Sequence, residues 1–244
     1  MKTIYFYKDI NAEFTAEKLR ERSRMKGFEF IGVKVSDIKK IKGKAILIWG
    51  NGNKHQLSYY FDWPDKDEIT KINIDQHTDS LLNHCEKGIK CWNHFYFSII
   101  KEKRKGKIIL PDYYKDQIYK LPLDYNKLDY LDPNNPIIEG NIQLTIDLDV
   151  IDSIPVLPVY LSYEGNGLSN EELYDIIYKL FNNSGELVRF DIGGICKNRN
   201  AWKATDLKED AEIMKRIYSD KGYNKVIDIF EHLILEANEK MEKD

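Results

Sequence analysis

Two segments of the chain place acids and a histidine at alternate positions. One reads Asn73-Ile74-Asp75-Gln76-His77-Thr78-Asp79, the other Thr145-Ile146-Asp147-Leu148-Asp149-Val150. Alternate side chains of a strand share a face. Asp75, His77 and Asp79 therefore point one way as long as strand geometry lasts, and Asp147 and Asp149 share a face while Ile146, Leu148 and Val150 take the other. Ligands so spaced sit about 6–7 Å apart at the backbone, close enough for their side chains to converge on one ion or a pair of ions. A half-exposed strand shows the same alternation without any ion. Two features weigh against that plainer reading: aspartate is depleted in strands, and carboxylates gathered at neighbouring strand ends repel one another unless a cation compensates. Two divalent cations balance the charge of Asp75, Asp79, Asp147 and Asp149. A third piece, Gly50-Asn51-Gly52-Asn53-Lys54-His55, follows an apolar stretch and sends a histidine past a glycine turn toward the same edge; alone it reads as an ordinary loop histidine.

Positioning these groups takes strands that end side by side. Strand-like runs occur at 3–7, 28–35, 44–49, 71–75, 142–151 and 186–195. Helical patterning covers 15–26, with Thr15 as a cap, and 169–182, where Ser169 and Glu172 have capping-box spacing. Two C-terminal helices follow, the first capped near Asp206 and Glu209, the second carrying the stripe Val226, Phe230, Leu233, Ala237 and Met241. Residues 92–110 hold two apolar segments around a basic stretch, and 121–136 reads as loop. Strands alternating with helices or long connections predict an α/β fold: one three-layer domain over 1–244, its mainly parallel sheet flanked by helices.

Composition bounds the partners. The 244 residues are 42% hydrophobic and 32% charged, with 37 basic and 40 acidic side chains for a net charge of −3. That balance argues against a dedicated nucleic-acid binder. No run reaches the ~20 apolar residues of a membrane span, and the N-terminal apolar stretch is too short for a signal-peptide core. Three cysteines, Cys85, Cys91 and Cys196, cannot all pair within the chain, which points to a reducing cytoplasm. His84, Cys85, Cys91 and His94 lack paired Cys-x2-Cys spacing and make a poor zinc cluster. KEKRKGK (101–107) reads first as a solvated turn and second as a binding patch for an acidic leader peptide or nucleic acid.

The three acid and histidine segments together resemble the signature blocks of the arginase, or ureohydrolase, family, which shares its fold with histone-deacetylase-like enzymes. Gly52-Asn53-Lys54-His55 stands where that family has Gly-Gly-Asp-His; DQHTD at 75–79 matches Asp-Ala-His-x-Asp at all three ligand positions; Thr145 to Ser153 matches Ser-x-Asp-x-Asp-x-x-Asp-Pro, with Ser153 in place of the proline. The likeness spans about 44–196. It implies two Mn²⁺ ions, one held by His55, Asp75, Asp79 and Asp147, the other by Asp75, His77, Asp147 and Asp149, with Asp75 and Asp147 bridging. The ligand types also admit other divalent transition metals. Asp152 is expected to hold the loop. The implied reaction attacks a guanidinium carbon with activated water to give urea and an amine. A general acid must then protonate the departing amine; His94 is the candidate and His84 its rival, and a histidine packed among Trp92, Phe95 and Phe97 is the plain alternative for His94.

Two departures bear on the substrate. Free-arginine arginases carry a glutamate beside the guanidinium on a late strand; the aligned segment here is Phe190-Asp191-Ile192-Gly193-Gly194-Ile195, with glycine at that place. A guanidinium prefers a bidentate carboxylate, so Glu164 or Asp191 is expected to take over. The loop after Asp79, SLLNHCEKGIK, does not match the arginase loop that reads the ends of the free amino acid. Both departures resemble the peptide arginases of ribosomal peptide biosynthesis, which also show a Trp-containing segment such as that at Trp92. The substrate implied is arginine within a peptide, converted to ornithine, or else a small guanidino compound. An amide deacetylase or another amidinohydrolase on the same fold is the first alternative, and a non-catalytic metal-binding regulatory module is the second. A homo-oligomer is left open.

Overall fold

The computed structural model describes residues 2–50, 54–64, 69–77, 89, 94–101, 103–111, 128–151, 167–195 and 220–243. Eight strands form one sheet: β1 (Thr3–Tyr7), β2 (Glu29–Val33), β3 (Ala45–Ile48), β4 (Ile69–Ile74), β5 (Lys105–Ile109), β6 (Leu128–Tyr130), β7 (Asn141–Asp147) and β8 (Leu187–Gly193). Their order is β2-β1-β3-β8-β7-β4-β5-β6, and every pairing is parallel. The helices are α1 (Ile10–Arg20), α2 (Val35–Ile38), α3 (Leu57–Tyr60), α4 (His94–Tyr96), α5 (Asn170–Asn182) and α6 (Asp220–Lys243). A π-helical turn, Phe97–Lys101, continues α4. This is the α/β architecture expected, with helices on both sheet faces, which lets a parallel sheet bury both sides.

The two faces differ in chemistry. On one, Ile4, Ile46, Ile72, Ile74, Leu144, Ile146 and Ile192 pack with buried residues of α1, α5 and α6 in the main core. The expected stripe of α6 is all there: Val226, Phe230, Leu233, Ala237 and Met241 are buried. Ser169 and Glu172 form the capping box, Glu172 N donating to Ser169 Oγ at 3.1 Å and Ser169 N to Glu172 Oε2 at 2.7 Å. The opposite face is polar near the middle of the sheet. Register sets Lys71 beside Gln143 and Gln143 beside Arg189; one step along, Asn73 lies beside Thr145 and Thr145 beside Asp191. All six are buried. Asp62, after α3, ties the lower row together, with Lys71 Nζ at 2.6 Å, Gln143 Nε2 at 3.0 Å, Ser98 Oγ at 2.8 Å and Arg104 Nε at 3.3 Å.

Several sequence expectations move. The first helix begins at Ile10, not Thr15, because Asp9 Oδ1 accepts from the backbone N of Asn11 and Ala12. Thr15 lies inside the helix, its hydroxyl bonded to Asn11 O. The strand expected over 142–151 stops at Asp147 and turns into a 3-10 helix, Leu148–Val150. β6 forms within the stretch read as loop, and β5 runs through the basic stretch. Arg104, read there as part of a solvated turn, is buried against Asp62. The helix expected near Asp206 lies outside the described residues. No helix among the described residues is long and apolar enough to cross a membrane.

Candidate metal centre

Register does most of the assembly. β4 and β7 are neighbours with Asn73 opposite Thr145 and Ile74 opposite Ile146, so both strands deliver their first acid at the same carboxyl edge. The chain then bends at both places by the same device. Asp75 Oδ1 accepts from His77 N at 2.7 Å, and Asp147 Oδ1 accepts from Asp149 N at 3.2 Å. Each carboxylate thus caps the residue two positions on, a turn that aspartate favours. The alternation that reads as continuing strand is therefore a strand end followed by an aspartate turn, twice. Asp149 Oδ1 then accepts from Gln76 N at 3.2 Å and ties the turns together.

The side chains converge in two groups of possible metal donors. His55, Asp75 and Asp147 make one; Asp75, His77 and Asp149 make the other, with donor atoms of each group within 4.8 Å of one another. Asp75 belongs to both, and its two oxygens divide between them. His55 Nδ1 is 3.3 Å from Asp75 Oδ2 and 3.6 Å from Asp147 Oδ2; His77 Nδ1 is 3.4 Å from Asp75 Oδ1 and 3.0 Å from Asp149 Oδ2. The His77 side chain is 37% exposed and the four others are buried, which makes His77 the mouth of the site. Asp147 stands with His55 and Asp75 in the first group. Asp79, Glu164, Asp152 and His84 lie outside the described residues.

Electrostatics show how crowded the cluster is. Burial and then the charge of Asp75 push the Asp147 carboxyl up to about 7. Burial, Asp147 and Asp75 push Asp149 well above its ordinary value. Burial acts on Asp75 too, but the His55 and His77 contacts outweigh it and hold that carboxyl well below the usual range. Burial lowers His77, and the carboxylates of Asp149 and Asp75 more than reverse that, so its ring holds a proton far above the ordinary histidine range. Two of the three acids are thus pushed toward their protonated forms by burial and by crowding around the third. A set of carboxylate oxygens and imidazole nitrogens fits divalent transition metals, so the donors present suit a two-metal site.

Behind these groups His55 is held from several sides. Its Nε2 is 2.9 Å from Thr145 Oγ1. The Trp49 indole stacks on the ring with centroids 4.6 Å apart, and His94 packs against it at 4.1 Å. His94 is wholly buried, and burial with the charges of His55 and Lys71 holds its ring well below the ordinary value. It is therefore a neutral, sealed neighbour of His55, a poor location for a group that must exchange protons with solvent.

Asp191 is corrected more firmly. Expected to face a guanidinium, it is 0% exposed. It accepts from Thr145 Oγ1 at 2.5 Å, Trp49 Nε1 at 3.0 Å and Ser58 Oγ at 3.2 Å. The β8 register explains this: Asp191 lies one row below the site, beside Thr145. Sequence reasoning did not single out Trp49 or Ser58; their signal was their place, at the end of the third strand and just after His55.

At the end of β8 two glycines make room for this arrangement. A Cβ on Gly193 would overlap the Trp49 indole. Gly194 has φ +111°, and a Cβ there would lie 2.7 Å from Asp147 Oδ1 and 2.8 Å from Leu148 N. On this backbone position 194 takes no side chain without strain. Gly194→Ala is expected to cost about 1–3 kcal/mol of stability and to weaken metal binding by displacing Asp147; thermal melting and metal titration check both.

No family model matches the chain, and neither does any curated protein. Solved structures do. Formimidoylglutamase from Bacillus subtilis superposes with a TM-score of 0.61 at 11% identity, covering 99% of this chain and 87% of that one. Helicobacter pylori arginase gives 0.54 at 12%, covering 97% and 99%. A T. brucei arginase-like protein, as a triple mutant bound with Mn²⁺, gives 0.58 at 12%, covering 97% and 90%. At such identities the likeness establishes the fold, that of the arginase-like ureohydrolases.

Proposed function

We propose that this chain, built on the arginase-like ureohydrolase fold, is a two-metal hydrolase of C–N bonds that acts on the guanidinium of arginine held in a peptide, yielding ornithine and urea. The observation that carries the reading is the pair of donor groups sharing Asp75 at the carboxyl edge of adjacent strands β4 and β7. His55, Asp75 and Asp147 would hold one ion and Asp75, His77 and Asp149 the other, with Asp79 completing the first set and Asp147 bridging as the sequence resemblance implies. Mn²⁺ is the metal proposed; the donor types suit it, and the T. brucei neighbour was solved with it. Two divalent cations in that cradle supply a nucleophile from water near neutral pH.

The chain's own groups set the geometry of approach. His77 is the exposed donor, so the substrate comes in past His77 and Asp149. Guanidinium plus water gives urea plus an ammonium, so the departing nitrogen must gain a proton. Of the two histidines proposed for that step, His94 is buried and neutral, which favours His84. With Asp191 turned inward, Glu164 is left to face the guanidinium. The unmatched loop SLLNHCEKGIK supports a substrate without free amino-acid ends. The same reading takes 1–244 as one domain working in the cytoplasm.

A second reading, a shorter amidine or a neutral amide, is favoured by Gly194, which leaves no carboxylate at the end of β8. A paired assay with Mn²⁺ decides. Free arginine, an arginine-containing peptide and an acyl-lysine peptide are each followed for urea, ornithine or acetate release. Urea from the peptide alone is the expected result; product only from the acylated substrate would move the chain to the second reading, and no product despite full metal loading would indicate a binding module.

A further inference from the structure

A histidine ligand offers a metal only the ring nitrogen that lacks a proton, so something must decide which nitrogen that is. We propose that Asp191 makes this choice for His55, acting through Thr145, and is a positioning residue of the site. The consequence for metal binding rests on the function proposed above; the choice of tautomer does not.

The hydrogen-bond bookkeeping leaves one solution. Trp49 Nε1–H can only donate, and it donates to Asp191 Oδ1 at 3.0 Å. Thr145 Oγ1–H donates to the same oxygen at 2.5 Å. As a carboxylate Asp191 only accepts: Oδ1 takes these two hydrogens and Oδ2 takes that of Ser58 Oγ at 3.2 Å. A threonine hydroxyl has one hydrogen, and here it is committed to Asp191. Only its lone pairs remain for His55 Nε2 at 2.9 Å, so Nε2 must bring the hydrogen. Nδ1 is then the nitrogen that can give up its proton to a metal, and it lies 3.3 Å from Asp75 Oδ2 and 3.6 Å from Asp147 Oδ2. Trp49 closes the circuit, since its N–H holds Asp191 while its face stacks on His55 with planes 13° apart. Gly193 is what lets the indole lie there. Groups that fix a ligand's orientation in this way typically contribute 10–100-fold in metal affinity.

The test separates an acceptor from a mere charge. In Asp191→Asn the amide oxygen can take the place of Oδ1 and the amide nitrogen can donate to Ser58, so Mn²⁺ affinity by calorimetry is expected to stay at the wild-type level. In Asp191→Ala the Thr145 hydroxyl is released to donate to His55, and affinity is expected to fall about 10–100-fold. Thr145→Val should lose as much and Thr145→Ser little. The Thr145→Val/Asp191→Ala double variant should lose no more than either single one, because both act on one path. Melting curves of the metal-free proteins report folding separately. An Asparagine variant as weak as the alanine one, an unchanged alanine variant, or additive losses would each overturn the proposal. If the wild type binds no metal, the functional reading fails first. Ring ¹⁵N spectra of the metal-free protein at alkaline pH then still decide, with Nε2–H at His55 supporting the inference and Nδ1–H overturning it.

Discussion

Asp75→Ala is expected to fold, to lose the paired metal site and to lose more than about 10³-fold in turnover, since a catalytic metal lowers the barrier by several kcal/mol. The reason is geometric. Among the described residues Asp75 is the acid that faces both histidines, Oδ2 toward His55 and Oδ1 toward His77, so its removal takes a donor from each group at once. Loss of His77 or Asp149 removes donors from one group only. The core on the far side of the sheet, built on Ile72, Ile74, Leu144 and Ile146, does not involve Asp75, which is why the fold should survive. Metal content per chain, circular dichroism and initial rates together check this. A variant with wild-type rates, or one that is inactive yet still holds two ions, would refute the shared role.

The second large effect is on stability. Asp147 has an ordinary carboxyl near 3.8 when unfolded and one pushed up to about 7 when folded without metal. Between those values the folded state keeps a proton that the unfolded state has released, so stability falls as pH rises from about 4 to 7 and levels off above. The difference corresponds to about 4 kcal/mol. His77 adds in the same direction: its raised folded value gives stability that is complete below pH 6.5 and declines above it. Asp75, held low, contributes stability above 3.8 that is lost as acid protonates it. The metal-free protein should therefore melt at a higher temperature at pH 5 than at pH 7.5. Asp147→Asn should make the slope shallower, leaving the share of Asp149, whose carboxyl is also pushed up, and Mn²⁺ should reverse it by taking the proton's place. A flat profile that Asp147→Asn leaves unchanged would mean that Asp75 and Asp147 are not crowded.

How much of this could be read from the residues varies by element. The apolar strands, the Ser169 cap and the Val226 to Met241 stripe follow from local pattern, because burial on a sheet or helix face leaves a period in the sequence. The start of α1 was misplaced because Asp9 and Thr15 both have cap chemistry, and only the backbone shows that Thr15 bonds back to Asn11 inside the helix. β5 was hidden by its lysines: Lys105 is exposed, and Lys107 pairs with Asp129 at 2.9 Å, a partner 22 residues on that local pattern does not reveal. At the site, Asp75, His77, Asp147 and Asp149 come together as their alternation suggests, although aspartate turns rather than a continuing strand bring them there; His55, an ordinary loop histidine by its own neighbours, joins them, and Asp79 is outside the described residues. Asp191 could not be placed by its own neighbours. Its role depends on register with Thr145 and on an indole from β3's end, relations between distant segments that spacing along the chain does not encode.

The most direct test of the two-metal reading is diffraction from crystals soaked in Mn²⁺, recorded to collect the metal's anomalous signal. Two peaks a few ångströms apart are expected on either side of Asp75, one within reach of His55 Nδ1 and the other within reach of His77 Nδ1. No peak between β4 and β7, or a single ion bound away from Asp75, would contradict that reading.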